Sequence, residues 1–90
     1  ALKNNVAKSG SVAIGFEAMR YADNTSTTGT SYNTAVGYGA LRGSTTPANN
    51  TGQYNTTMGY QSLMNNSSGS SNVANGVYSL MNNTVGKHNV

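Results

Sequence analysis

The stretch that decides the fold is NTAVGYGALR (residues 33–42), because NTTMGYQSLM at residues 55–64 nearly repeats it 22 positions later. SVAIGFEAMR (residues 11–20) and NVANGVYSLM (residues 72–81) fit the same ten-residue template. The template places Asn or Ser first, Ala or Thr third, Gly fifth, a small residue eighth and Leu or Met ninth. Repetition at this period is typical of solenoids and fibres. The template glycines lie 22, 22 and 17 residues apart: Gly15, Gly37, Gly59 and Gly76.

The repeats divide the chain into units of one array rather than into separate domains. A partial unit covers residues 1–10 and the start of another covers residues 89–90. Because both ends fall inside a unit, we expect the 90 residues to be a window of a longer fibre. The full units are residues 11–32, 33–54, 55–71 and 72–88.

The composition by itself is typical of a disordered chain. Asn, Gly, Ser and Thr make up 47 of the 90 residues, and charged residues only 8%. A glycine at a fixed place in every unit nevertheless favours an ordered solenoid. The net charge of +3 comes from scattered side chains, which argues against a nucleic-acid partner. No run of about 18 apolar residues occurs, so we expect no membrane insertion. The chain has no cysteine and therefore no disulfide framework.

Each template predicts a short strand, a glycine bend and a second short strand. Large and small residues alternate at positions two to four, which is a strand pattern, and the glycine suits a tight bend or a close backbone approach. Loops of 12 or 7 residues, rich in Asn, Gly, Ser and Thr, join the templates. Position six predicts an aromatic ladder of Phe16, Tyr38 and Tyr60. Position nine predicts the core residues Met19, Leu41, Leu63 and Leu80.

A single stack of such coils has few large apolar side chains with which to close a core. Each unit supplies three or four of them, which is too few for a chain of this size by itself. Coils stacked about 4.8 Å apart would also leave both ends of the stack open. We therefore predict self-association around a shared apolar axis, with a homotrimer as the favoured assembly.

The templates resemble those of a known group of fibrous proteins. SVAIG at residues 11–15 is similar to the NSVAIG motif of YadA-like head repeats in trimeric autotransporter adhesins. NTAVGYGAL and NTTMGYQSL resemble the NTAIGYQAL-type arrays of phage tail fibres. This resemblance implies a left-handed parallel β-roll, intertwined or side by side in a homotrimer, with the template glycines at its tight bend. Asn75 stands where the family has Ile or Val. The resemblance places Val12, Ile14, Val36 and Met58 in the roll interior.

The titratable side chains argue against an enzyme. Acid–base catalysis needs paired groups within hydrogen-bond reach, and the acidic and histidine side chains are Glu17, Asp23 and His88 alone. Asp23 and His88 fall in loops three units apart, and no nucleophile has a neighbouring base. A lone histidine does not form a metal site, since structural sites use about four ligands. We therefore predict no catalytic residue, no metal and no cofactor.

Two groups of residues are candidates for binding a surface. Lys3, Arg20 and Arg42 share template position ten, so stacking would align them as a solvated edge or as a track for anionic glycans. Tyr21, Tyr32 and Tyr54 flank the long loops, and a tyrosine among Asn and Thr residues suits a sugar-binding surface. The alternative for these rings is packing over the loop base or against a neighbouring chain.

Together these features predict a structural shaft or head segment of a trimeric fibre that attaches to a host surface. A phage tail or receptor-binding fibre on the virion is the leading interpretation, with a host cell-surface glycan or other surface receptor as partner. The alternative is a bacterial trimeric autotransporter-type adhesin, which would be extracellular on the cell surface. An ice-binding solenoid is a third hypothesis, weakened because the threonines do not align from unit to unit.

Overall fold

The computed structural model describes residues 8–21 and 29–90 of the chain. Lys3, Asp23 and most of the predicted partial unit at residues 1–10 lie outside the described residues. Within these ranges the secondary structure consists of short strands and turns, with one 3-10 turn at Pro47–Asn49 and no α-helix. The protein is therefore all-β over the part that the structure describes.

The main sheet contains one strand from each of the four templates. These strands are β2 (Val12–Ile14), β4 (Thr34–Val36), β5 (Thr56–Met58) and β6 (Val73–Asn75). They are hydrogen-bonded in the order β2-β4-β5-β6, and every neighbouring pair is parallel. Two shorter strands, β1 (Lys8–Ser9) and β3 (Gly29–Thr30), form a second parallel pair.

The register pairs identical template positions in successive units. Val12 pairs with Thr34, Thr34 with Thr56, and Thr56 with Val73, so the register advances by 22, 22 and 17 residues. Parallel strands need a crossover connection, and here each crossover is the remainder of one unit. We call the chain from one of these strands to the next a coil. A stack of such coils is consistent with a β-solenoid.

Small side chains fill the interior of the coils. Ala35, Thr57 and Ala74 occupy template position three and are buried, and Ala13 is partly buried against the same core. Position eight is also small and buried in the first three units, at Ala18, Ala40 and Ser62. At position nine, Met19, Leu41 and Leu63 are buried, whereas Leu80 is partly buried. The core of each coil is thus one large side chain between small ones.

The placement of Val12, Ile14, Val36 and Met58 in the roll interior was wrong for the single chain. Ile14 is 59% exposed and Met58 is 53% exposed, Val12 is exposed as well, and Val36 is only half-buried. Successive side chains of a strand point to opposite faces, so turning position three inward turns positions two and four outward. Position three carries Ala or Thr, and its alanines pack in the interior with the position-nine side chains Met19, Leu41 and Leu63.

The predicted second strand is replaced by a run of tight turns. Glu17 and Met19 have positive φ values of 61° and 51°, and Gln61 and Leu63 repeat this at 52° and 49°. Successive backbone N–H groups of this run then donate alternately to a carbonyl within the same turn and to a carbonyl of the next coil. The Ala18 N–H donates to the carbonyl oxygen of Gly15 at 3.2 Å, whereas the Met19 N–H donates to Ala40 in the next coil at 3.0 Å. The turns therefore continue the inter-coil hydrogen bonding without forming a strand.

The template glycines sit where successive coils approach most closely. Gly15, Gly37 and Gly59 have φ values of 117°, 131° and 130°, a region that side chains disfavour. A Cβ atom added to Gly37 would lie 2.6 Å from the carbonyl oxygen of Gly59. Glycine is thus required both by the backbone conformation and by the neighbouring coil.

Candidate functional site

The outer face of the main sheet exposes five large aliphatic side chains, wholly or in part, together with two threonines and an asparagine. Each strand directs its second and fourth template residues outward, and the register aligns them into two rows. One row runs Val12, Thr34, Thr56 and Val73; the other runs Ile14, Val36, Met58 and Asn75. We call these eight residues the sheet face. An exposed patch of large aliphatic side chains on a small soluble chain is typical of an interaction surface.

An aromatic stack borders the sheet face just after the glycine bend. The rings of Phe16 and Tyr38 are stacked with centroids 5.3 Å apart, and Tyr38 and Tyr60 are stacked at 5.4 Å. Tyr78 continues the row by meeting Tyr60 edge-on at 5.5 Å, while Val77 holds position six of that unit and is exposed. All three residues of the predicted ladder are therefore in contact in series. They remain exposed, with Phe16 at 67%, and so extend the apolar surface.

A second ladder, made of buried asparagines, stabilises the side of the coils where each template begins. The Asn55 N–H donates to Oδ1 of Asn33 at 2.8 Å, and the Asn72 N–H donates to Oδ1 of Asn55 at 3.0 Å. Asn89 continues the series, with its N–H donating to Oδ1 of Asn72 at 3.0 Å. Ser11 begins it, because its hydroxyl accepts from the Asn33 N–H at 3.3 Å. The side chains of Ser11, Asn33, Asn55 and Asn72 thus each accept from the backbone of the following coil.

The Nδ2 group of each ladder asparagine donates to the carbonyl of a glycine, and this glycine lies three residues before the next asparagine of the ladder. Nδ2 of Asn33 donates to the Gly52 carbonyl at 2.9 Å, and Nδ2 of Asn55 donates to Gly69 at 2.9 Å. Asn66, in the same loop as Gly69, also donates to the Gly69 carbonyl at 2.9 Å. Sequence reasoning did not assign this network. The signal was present as NNSSGSSN at residues 65–72 and NNTVGKHN at residues 82–89, which repeat both asparagines and the glycine.

The structure brings two of the three candidate surface tyrosines together. Tyr32 and Tyr54 are stacked, with centroids 5.3 Å apart and planes inclined by 9°. Both rings are exposed, Tyr54 at 57%. Tyr21 is not part of this pair, and its ring lies 5.2 Å from the Arg20 guanidinium instead. The sequence left open whether these rings are exposed or packed, and it did not predict the stacking, which depends on the two coils being in register.

The two candidate cationic residues share one carboxylate. Arg20 Nη1 is paired with Glu17 Oε1, and Arg42 Nη1 lies 3.7 Å from Glu17 Oε2. Arg20 and Arg42 are half-buried. Because the Glu17 carboxylate offsets one of the two guanidinium charges, the cluster keeps a net charge of about +1, which weakens this edge as a track for anionic glycans over the described coils. The interpretation as a solvated structural edge is favoured.

A metal ion is held by several ligating side chains that lie close together. Residues 8–21 and 29–90 contain no cluster of three or more His, Cys, Asp or Glu side chains able to hold a metal ion. Within the same ranges, no helix is long and apolar enough to cross a membrane. The candidate binding features that this structure exposes to solvent are the sheet face, the aromatic stack and the Tyr32–Tyr54 pair.

Comparison of the chain with protein-family models, with curated proteins and with solved structures finds no match. The candidate site therefore rests on geometry: a parallel stack of coils, stabilised internally by buried asparagines, that leaves one apolar face uncovered.

Proposed function

We propose that the chain is a segment of a homotrimeric fibre built from left-handed parallel β-rolls. The exposed sheet face is the observation that carries this proposal. Ile14, Val36 and Met58 form a continuous apolar row that the interior of the coil does not use. Packing such rows from neighbouring chains against one another removes them from water, at a gain of about 25 cal/mol per Å² buried.

Association also supplies the large core that each coil lacks. The coil interior is mostly Ala and Ser with one Leu or Met per unit, so a single stack buries little apolar surface. A shared axis formed by the sheet faces of several chains adds the missing apolar burial. Three chains and a left-handed roll are what the resemblance to YadA-like head repeats implies.

The proposed role is attachment to a host surface, as shaft or head of a phage tail or receptor-binding fibre. Three identical chains present each exposed side chain three times around the axis. Weak contacts then add through effective concentration rather than through one tight site. A bacterial trimeric autotransporter-type adhesin is the alternative, because the same architecture would serve it equally.

Sedimentation equilibrium of the chain tests the assembly. We expect a mass of three times the 9.3 kDa chain, with far-ultraviolet circular dichroism typical of β structure. A folded monomer would contradict the proposal, because it would mean that the sheet face is stable in water.

Binding of the labelled trimer to cells separates the two attachment roles. A phage fibre is expected to bind bacterial cells of particular strains, whereas a bacterial adhesin is expected to bind animal cells or matrix. A trimer that binds neither surface would contradict the role of a binding head and leave that of a shaft.

A further inference from the structure

One residue in each coil, directly before the asparagine ladder, has a left-handed backbone. The φ values are 74° for Gly10, 53° for Tyr32, 59° for Tyr54, 58° for Ser71 and 58° for His88. We call these five residues the tyrosine rank. Non-glycine residues with positive φ are uncommon, so a repeated value shows that the coils share one backbone geometry here.

Hydrogen bonds confirm that the tyrosine rank is stacked one residue per coil. The Tyr54 N–H donates to the carbonyl of Ser31 at 2.9 Å, and the Ser71 N–H donates to Gln53 at 2.9 Å. The His88 N–H donates to Ser70 at 3.1 Å. In each case the acceptor is the residue just before the previous member of the rank. Because Tyr32, Tyr54, Ser71 and His88 share nearly the same φ and are linked by equivalent hydrogen bonds, their Cα–Cβ bonds point in the same direction.

The ring stack stops at Ser71. Tyr32 and Tyr54 pack face to face, and the next coil then offers only a hydroxymethyl group before the imidazole of His88 in the coil after it. Two coil steps span about 10 Å, so one further ring would fit between the ring of Tyr54 and the imidazole of His88. Tyr54 and His88 are exposed and Ser71 is half-buried, which leaves the gap open to solvent.

We propose that this gap, bounded by Tyr54, Ser71 and His88, binds one pyranose ring of a surface glycan. The C–H face of the sugar would stack on Tyr54, as sugars do on exposed aromatic rings, with the Ser71 hydroxyl and the His88 imidazole as hydrogen-bonding partners for its hydroxyl groups. The proposal rests on the attachment function above and names the ligand class. A trimer carries the gap three times, so a weak site suffices.

Neighbouring residues favour a sugar over a nucleobase. The coils on either side of the gap contribute mostly neutral polar groups, among them Gln53 and Ser70, and Lys87 is the one cation next to the rank in these coils. Single-stranded nucleic acids need a basic groove along their phosphates in addition to stacking rings. The gap lacks such a groove among the described residues.

Saturation-transfer difference NMR on the assembled chain tests the proposal. The probes are the methyl pyranosides of glucose, galactose, mannose, N-acetylglucosamine and glucuronic acid, at concentrations suited to about millimolar affinity. We expect transfer to the ring protons of at least one probe. The substitution Ser71→Tyr fills the gap with the chain's own ring and should abolish that signal. Tyr is compatible with the backbone there, because Tyr54 adopts nearly the same φ.

Controls separate the site from folding and from assembly. Ser68→Tyr adds a ring in the same coil outside the rank and should leave the signal unchanged, whereas Tyr54→Ala should reduce it at least fivefold. Ser71→Tyr should not lower the melting temperature, since it continues a stack. Absence of transfer to every probe, or a signal that Ser71→Tyr leaves unchanged, overturns the proposal. Sedimentation of the same samples reports on the trimer independently.

Discussion

Asn55 binds the following coil through both ends of its side-chain amide. Its Oδ1 accepts from the backbone N–H of Asn72 at 3.0 Å, and its Nδ2 donates to the carbonyl of Gly69 at 2.9 Å. The side chain is completely buried, so neither of these backbone groups is left to be satisfied by water. One residue thus fixes the spacing of two backbone segments.

Replacing Asn55 with alanine should cost about 1–3 kcal/mol of unfolding free energy, because the buried Asn72 N–H loses its partner, whereas the Gly69 carbonyl keeps the Asn66 amide. Urea denaturation followed by circular dichroism measures the loss. Asn82→Ala is the matched control, since Asn82 is exposed, and it should change stability by less than about 0.5 kcal/mol. Equal effects of the two substitutions would show that the ladder contributes nothing specific.

Alanine at Gly37 and at Gly76 should separate steric contact from backbone strain. Both glycines have positive φ, 131° and 122°, so both variants carry a conformational cost of about 1–2 kcal/mol. The added Cβ at Gly37 also meets the Gly59 carbonyl oxygen at 2.6 Å, whereas at Gly76 nothing lies within 4 Å. The unfolding free energy of Gly37→Ala should therefore be lower than that of Gly76→Ala by about 1–3 kcal/mol. Thermal unfolding of the two proteins gives the comparison, and the reverse order would contradict the close approach of coils.

A polar substitution on the sheet face should dissociate the proposed trimer without unfolding the coil. Ile14→Asn places an amide in the apolar row, where burial between chains would leave it without partners. Val85→Asn is the control, because Val85 is exposed but lies outside the sheet face. We expect sedimentation equilibrium to show a higher dissociation constant, by about a hundredfold, for the first variant alone. A trimer of unchanged affinity would exclude the sheet face from the interface.

Thr57 and Ser62 should be energetically coupled, because their hydroxyl groups hydrogen-bond across the interior of one coil. The equivalent pair in the preceding coil is Ala35 and Ala40, both buried. The double variant Thr57→Ala/Ser62→Ala therefore reproduces an interior that the fold already tolerates. We expect it to be about 1 kcal/mol more stable than the sum of the single variants predicts. A double-mutant cycle by urea denaturation measures the coupling, and strict additivity would mean that the hydroxyl pair stabilises nothing.

The coil register could be predicted from the sequence, whereas the direction of the side chains could not. A fixed glycine and a fixed Leu or Met predict which residues stack, and Gly15, Gly37 and Gly59 do lie in contact. The alternation of large and small residues in VAI or TAV allows either face of the strand to turn inward, since both Ala and Val are acceptable core residues. Which face turns inward depends on the space left beside Leu41 and Leu63, and that space is set by the tertiary packing of the coils.

The turns after each glycine and the asparagine ladder were missed for related reasons. Glu17 and Met19 have left-handed φ although neither residue type favours it, so no local signal distinguishes this run from a strand. Asn33 and Asn55 are common turn residues, and their repetition at position one was visible, but their partners are backbone groups in another coil. Sequence pattern reports the residue that repeats and not the atom that it binds.

The hydrogen bond between Asn33 and Asn55 spans 22 residues and that between Asn55 and Asn72 spans 17, yet their lengths are 2.8 Å and 3.0 Å. The five extra residues of the longer coil leave the step from one coil to the next unchanged. Each unit is therefore an equivalent repeat of the stack, defined by its first asparagine and its bend glycine. Units with loops of different length can therefore stack on one another in this chain while the step from coil to coil stays constant.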